Sequence, residues 1–401
     1  MAINIQNLVA AATAKTAVAA TDSADSARLA SLTALLNNHR NTQSFATLAS
    51  LPTADSSNAG MIFRVAADSA GSYIDSGAVY YVSYRDQWKA VNFTDSAVAQ
   101  SAPVTSTQAQ GSNFGYSSGG YASSPQTNGN NIIQKYSFTS DANATDVGDL
   151  TTTVRFAAGQ SSSTDGYVSG GFNGSRITTV QKFPFSSDAN ATNVGTITVA
   201  RNAQAGQSST THGYNSGGIQ SPPYSNIIDK FPFASDGSST DVGDLIRGIG
   251  WPGGTSSTTH GYVSGGGAPP TFPFSDEIQK FSFSSDGNAT DVGDLLIATS
   301  QLGANGQNSF ESGYAAGGSA PGITDTIQKF PFASDANATD VGNLIETKTY
   351  VSGTSSTDNG YVHGGLPFVN TIQKFSFSSD GNATDIADLT GNQSQTAGQQ
   401  Y

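Results

Sequence analysis

The residues best placed to do chemistry lie in a turn that the chain writes six times, Asp-x-Asn-x-Thr-Asp-x-Gly-Asp and close variants of it. Asp141, Asn143, Thr145 and Asp149 occupy positions 1, 3, 5 and 9 of a calcium-type loop, where oxygen ligands are needed. The glycine that gives such loops their sharp bend is Asp146 here, and no bidentate glutamate follows. Asp and Asn also stabilise turns by bonding their own backbone, so the expectation is a structural turn, with calcium as the alternative. A lysine recurs in every copy, at Lys135, Lys182, Lys230, Lys280, Lys329 and Lys374. Counting across the hairpin sets Lys135 near Asp149 and predicts an ordinary cross-strand ion pair. His212 and His260 share one repeat position, one per copy, and one imidazole per turn cannot surround a metal. No metal, cofactor or catalytic residue is therefore expected.

The elements that must hold these residues follow from the repeat. Gly-Tyr, followed two residues later by Gly-Gly, recurs at Tyr116, Tyr167, Tyr214, Tyr262, Tyr314 and Tyr361. A period of about 50 residues means a solenoid or a propeller. Within one copy, 166–171 reads as a short strand, 180–185 as an aromatic-bearing strand, 186–192 as an Asp/Asn turn and 194–197 as a third strand. Residues 205–209, Ala-Gly-Gln-Ser-Ser, read as a fourth strand leading into the next Gly-Tyr. Four short antiparallel strands per copy make a propeller blade. The expected fold is mainly β, a six-bladed propeller over 111–401. The last residues, Ala397-Gly-Gln-Gln400, align with Ala205-Gly-Gln-Ser208 and are expected to close the ring by completing the first blade, with 108–111 as the competing segment.

Ahead of the propeller, residues 1–40 are Ala-rich, with Leu29, Leu32 and Leu36 at helical spacing, and predict a helix for attachment or oligomerisation. Residues 41–100 predict a small antiparallel β module, with strands at 61–65, 78–84 and 87–91, and 101–110 a linker.

Composition narrows the function. The chain has 401 residues, 30 acidic and 17 basic, for a net charge of −13, and no cysteine. That excludes disulfides and thiolate chemistry and argues against nucleic acid, whose phosphates need cations. No apolar run is long enough to span a bilayer, and the N-terminus lacks the basic region of a signal peptide, so no membrane insertion is expected.

Alternation along the strands sends the loop after Gly-Gly and the loop before Ala-Gly-Gln to one face, and the Asp/Asn and Ser/Thr turns to the other. The turn face is nearly uniform. The loop face varies, through 121–131, 172–176, 219–226, 267–277, 319–325 and 366–370. These loops carry Tyr121, Phe172, Arg176, Tyr224, Phe272, Phe274 and Phe368, the candidate ligand-binding residues. Variable loops on a rigid scaffold build binding surfaces, and aromatics among amides suit a sugar ring or a protein.

The Tyr-x-x-Gly-Gly strand, variable loop and aromatic strand resemble a Kelch-type blade over about 110–401, although the late tryptophan is missing, with Val147 and its equivalents in its place. The turn Ser284-Ser-Asp-Gly-Asn-Ala-Thr290 is similar to the Asp-box of sialidase-type propellers. The opening Met1-Ala-Ile-Asn-Ile-Gln-Asn-Leu8 and the stretch from Leu51-Pro52 to Gln87-Trp88 resemble bacteriophage tail-fibre or virion appendage proteins, marine cyanophage fibres in particular. The resemblance implies a non-enzymatic virion protein, a homotrimer attached to other virion proteins through its N-terminal part, with the propeller binding a host surface glycan or protein. A structural decoration or adaptor role and a polysaccharide-degrading propeller are the alternatives.

Overall fold

A computed structural model describes residues 111–122, 129–220, 224–267, 274–302 and 306–401, and four short strands nearer the N-terminus. The chain divides into two units, 1–105 and 106–401. In the first, Ser44–Phe45, Ile62–Val65, Val79–Tyr84 and Gln87–Ala90 form one sheet in that order, the first pair parallel and the others antiparallel. The helix expected within 1–40 lies outside the described residues.

The second unit is a six-bladed β-propeller of six four-stranded sheets. Blade 3 shows the plan, with Ala205–Ser208, His212–Ser216, Ile227–Pro232 and Thr240–Asp244 paired in that order from the axis outward. The phase differs from the sequence expectation by one strand. Ala-Gly-Gln-Ser is not the last strand of a blade but the innermost strand of the following one. The reason is the tight connection into Gly-Tyr, where Ser209 N–H donates to His212 O at 2.9 Å and leaves no length for a crossing between sheets.

The two small residues of the inner strand follow from crowding at the axis. A Cβ on Gly206 would sit 2.3 Å from the carbonyl oxygen of Gly159 in the neighbouring blade. The glycine of Gly-Tyr has a different cause. The Phe231 ring lies across the sheet over Gly213, where a Cβ would meet the ring at 2.3 Å. Phe231 also packs on Tyr167 of blade 2 at 5.5 Å, and Phe233, two residues on, lies against the same ring. Tyr167 of blade 2 stacks on Phe233 at 4.8 Å. Equivalent ring pairs join each blade to the next, stacked in Tyr214–Phe283, Tyr262–Phe332, Tyr314–Phe377 and, across the join of the ring, Tyr361–Phe138, and tilted in Tyr116–Phe185. Such pairs add about 0.5–1.5 kcal/mol each beyond the area they bury. The core is therefore a set of apolar seams between blades. Tyr116, Ile133 and Leu150 of blade 1 meet Phe183, Phe185 and Ala191 of blade 2 in one of them, with Val147 at its edge.

Closure is as the sequence led us to expect. Ala397–Gln400 pairs antiparallel with Phe114–Ser118 as the innermost strand of blade 1. The competing segment ends elsewhere, since Gly111 bonds Ser355 of blade 6 at 2.7 Å.

One buried residue breaks the pattern and has a pH consequence. The position held by Ser118, Ser169, Ser216 and Ser264 in four blades is His363 in blade 6. His363 is 1% exposed, and neither ring nitrogen has a hydrogen-bond partner. Burial disfavours the charged form and pushes its pKa down to about 3 from 6.5. The unfolded chain takes up this proton below pH 6.5 and the folded chain does not. Stability from this group is present above pH 6.5 and is lost as pH falls toward 3, by up to about 1.4 kcal/mol per pH unit. His363→Ser is expected to flatten the fall in melting temperature between pH 6.5 and 5 relative to the wild type. Parallel melting curves for the two proteins across that window would refute it.

Candidate functional site

The two faces are built differently, and on the turn face repeated side chains join one blade to the next. Each Asp/Asn turn reaches back to the outer strand of the preceding blade. Asn190 Oδ1 accepts the Asp149 N–H at 2.9 Å, while the Ala191 N–H donates to Asp149 O at 2.8 Å. This two-bond clamp is present at all six junctions, with Ser238 in place of Asn at one. The first Asp of each turn holds a lysine of the preceding blade. The pairs are Lys135–Asp188, Lys182–Asp236, Lys230–Asp286, Lys280–Asp335, Lys329–Asp380 and Lys374–Asp141. This corrects the expected pairing of Lys135 with Asp149 inside one blade. Across its own hairpin Lys135 faces Thr145, and its ammonium extends to the next blade instead. These pairs are partly exposed, so each contributes little, about 0–1 kcal/mol.

The calcium-type residues are thus engaged separately. Asp141 binds Lys374, Asn143 accepts the Asp388 N–H at 3.0 Å, and Asp149 bonds Asn190 and Ala191 through its backbone N–H and C=O. Thr145 sits opposite Lys135 in the sheet. Among the described residues no group of three or more His, Asp or Glu side chains could hold a metal ion.

A second clamp escaped the sequence reading. The residue before each lysine is Gln134, Gln181, Asp229, Gln279, Gln328 or Gln373, all at most 1% exposed. Each accepts a backbone N–H from the preceding blade, as Gln181 Oε1 does from Thr151 N at 2.7 Å. Asp229 alone carries a charge. Its partner is Arg201, at 2.9 Å, and both side chains are 0% exposed. Burial pulls the guanidinium's pKa down, and the Asp229 carboxylate opposes that.

The loop face carries the predicted binding residues. Tyr121 and Phe368 lie 5.6 Å apart, and the Arg155 guanidinium sits over both Tyr121 (4.9 Å) and Phe172 (5.2 Å). These three aromatics, from blades 1, 2 and 6, therefore form one group around a cation that was not among the candidates. Arg176 is exposed and donates from Nε to Asn202 Oδ1 at 3.1 Å. Tyr224 lies 6.2 Å from Trp251 in a separate group, Phe274 stands apart at a bridge to Gly267, and Phe272 lies outside the described residues.

The loop face has a centre that the sequence did not announce. Just before each inner strand stands a residue in the left-handed region, namely Phe156, Ala203, Trp251, Gln301, Tyr350 and Gln395, with φ between 52° and 60°. Their backbones form a closed ring around the axis. Each N–H donates to the carbonyl of the equivalent residue in the preceding blade, from Phe156 N to Gln395 O through to Gln395 N to Tyr350 O, at 2.8–3.1 Å. The left-handed turn is what aims the N–H at one neighbour and the C=O at the other. The side chains alternate, aromatic in blades 2, 4 and 6 and Ala or Gln in the others. Phe156 and Tyr350 meet edge to face at 5.5 Å, and Arg155 also covers Phe156 at 5.6 Å, which ties the centre to the Tyr121 group. The signal was available as an aromatic just ahead of every second inner strand.

The chain matches no protein-family model and no curated protein.

Proposed function

We propose that the protein is a virion appendage of the tail-fibre kind whose propeller binds a host surface glycan or protein through the loop face. One observation carries this reading, the asymmetry between the faces. On the turn face the first Asp of each turn, its Asn (Ser238 in one copy) and the facing lysine are engaged in contacts between blades, and the same contacts recur six times. On the loop face, residues that differ from blade to blade present aromatic rings, a guanidinium and amides that ring closure does not require. Binding without catalysis is what such a surface does, through stacking and hydrogen bonds. The N-terminal resemblance to phage fibres supports attachment of that end to other virion proteins, as a trimer. The test is adsorption of the fluorescently labelled full chain to cyanobacterial cells and to their isolated surface polysaccharide. Saturable binding to either is expected. Absence of binding across a panel of strains on which such phages grow would refute the receptor role.

The adaptor reading has its own observation. Ile246, Leu296 and Ile345 hold equivalent positions in the adjacent blades 3, 4 and 5 and are 47–58% exposed. Blades 1, 2 and 6 carry Thr151, Thr198 and Thr390 there, each with its hydroxyl bonded to the Gln or Asp of the next blade. An apolar arc over half the rim suits a protein contact. Particles lacking this protein that still adsorb normally would favour that role.

A further inference from the structure

Charge is divided unevenly over the loop face. The chain carries −13 overall, yet the loop-face segments of blades 6, 1, 2 and 3 contain no Asp or Glu, across 366–370, 390–396, 121–131, 151–157, 172–178, 198–204 and 219–226. They hold three arginines, and only Arg201 has a carboxylate partner, the buried Asp229. Among the described residues Arg155 and Arg176 form no ion pair. The acids of this face, Asp276, Glu277, Asp325 and Glu346, belong to blades 4 and 5, where Arg247 pairs with Glu277 and Lys348 with Glu346.

The two uncompensated cations flank one ring. Phe172 forms an antiparallel bridge to Arg155 on one side and to Arg176 on the other. Residues paired across strands in this way send their side chains to the same side. Tyr121 and Phe368 extend the patch beyond Arg155. Tyr224 extends it beyond Arg176: burial raises the Tyr224 pKa, and the nearby charge of Arg176 opposes the rise. The fold does not call for a cation at Arg155. The equivalent positions hold Asn202, Gly250, Ser300, Thr349 and Ser394, and each makes the same backbone bridge to the residue after a Gly-Gly. The Arg155 guanidinium is half-buried over its rings, and its Nε is buried without a hydrogen-bond partner. Stacking covers the flat faces of a guanidinium and leaves its N–H edge for an oxyanion. Arg176 is exposed and commits only its Nε, to Asn202.

We infer that this patch binds an acidic saccharide, a sugar chain bearing uronate or sulfate groups, with its oxyanions on Arg155 and Arg176 and its ring faces on Tyr121, Phe172 and Phe368. A neutral sugar would leave both guanidiniums without a counter-charge, and an acidic peptide would leave the rings unused. The patch is an open surface, and a single site of this kind is weak. Repeated charges along a polysaccharide meeting repeated copies of the protein supply avidity. This inference rests on the receptor-binding reading of the loop face and names the ligand class for it.

The experiment passes the full chain over immobilised polygalacturonate, dextran sulfate, neutral dextran and poly-glutamate. Saturable binding to polygalacturonate, to dextran sulfate or to both is expected, which also separates carboxylate from sulfate as the group recognised. Dextran should not bind, and poly-glutamate should bind more weakly. Arg155→Gln and Arg176→Gln are each expected to weaken binding about tenfold, the loss of a charge-assisted contact. Arg247→Gln removes the same charge elsewhere on the face and should change binding by less than about twofold. If Arg155→Gln does not fold, the exposed Arg176→Gln carries the test. No binding to either acidic polysaccharide overturns the inference. So does equal binding to dextran or to poly-glutamate, or a loss from Arg247→Gln as large as that from Arg176→Gln. Wild-type protein that binds cells but neither acidic polysaccharide would sink this assignment and spare the receptor role, whereas failure to bind cells would sink the receptor role itself.

Discussion

Asp229→Ala is expected to destabilise the propeller by about 3–5 kcal/mol, because it leaves the Arg201 guanidinium buried without a counter-charge. Two further bonds go with it. Asp229 accepts from Thr198 N at 3.1 Å and Thr198 Oγ1 at 2.6 Å, and these tie blade 3 to blade 2. Two other blades show how the site works with an apolar side chain. Where blade 3 has Asp229 the other five have Gln, and the positions corresponding to Arg201 hold Val154, Ile249, Thr299, Lys348 and Gln393, with the buried Lys348 paired to Glu346. The double variant Arg201→Val with Asp229→Gln restores that apolar arrangement and is expected to unfold close to wild type in denaturant titrations. A buried ion pair can be replaced by such a set at little cost even though removing one partner is severe. If Asp229→Ala unfolded within about 1 kcal/mol of wild type, well short of the cost of an unpaired buried charge, the pair would not be the buried unit described.

The second large effect concerns the join of the ring. Removing residues 397–401 takes the innermost strand from blade 1 and cuts contacts on both sides. Gln399 donates to Tyr167 O at 3.1 Å and accepts from Ser118 Oγ at 2.8 Å, and Gln400 N bonds Ser161 Oγ at 3.0 Å. Tyr401 stacks on Phe185 at 5.3 Å. Losing a buried strand of this kind costs on the order of 5 kcal/mol or more, and the melting temperature should fall by about 10 °C or more, if the truncated chain folds at all. A truncated protein with an unchanged melting temperature would contradict closure by the C-terminus.

The six-fold plan, the direction of each strand, the two faces and the closing strand could all be read from the repeat. Each follows from alternation and spacing within one copy. Contacts between copies could not be read so well, and the reason is the repetition itself. Asp149 and Asp188 both lie within reach of a hairpin containing Lys135, and only the curvature of the ring decides for the next blade's turn. The phase of the blade was hidden in the same way, since Ala-Gly-Gln-Ser lies between two sheets in sequence and belongs to the later one. Gln181 and its equivalents looked like ordinary strand residues because their partners are backbone amides of another copy. Arg201 and Asp229 are more instructive, as each departs from the repeat in the same region and the departures compensate each other. The candidate binding residues were found as loop aromatics, but their focus was not. Arg155 and the axial rings lie just before the inner strands, outside the loops chosen for their variability.

The division of labour between the faces is the central claim, and hydrogen exchange of the full chain with and without host surface polysaccharide tests it most directly. Bound polysaccharide is predicted to slow exchange in the segments around Tyr121, Phe172 and Tyr350 and to leave the Asp/Asn turns unchanged. Protection concentrated in the turns at Asp141, Asp188 and Asp236, with none on the loop face, would contradict the account.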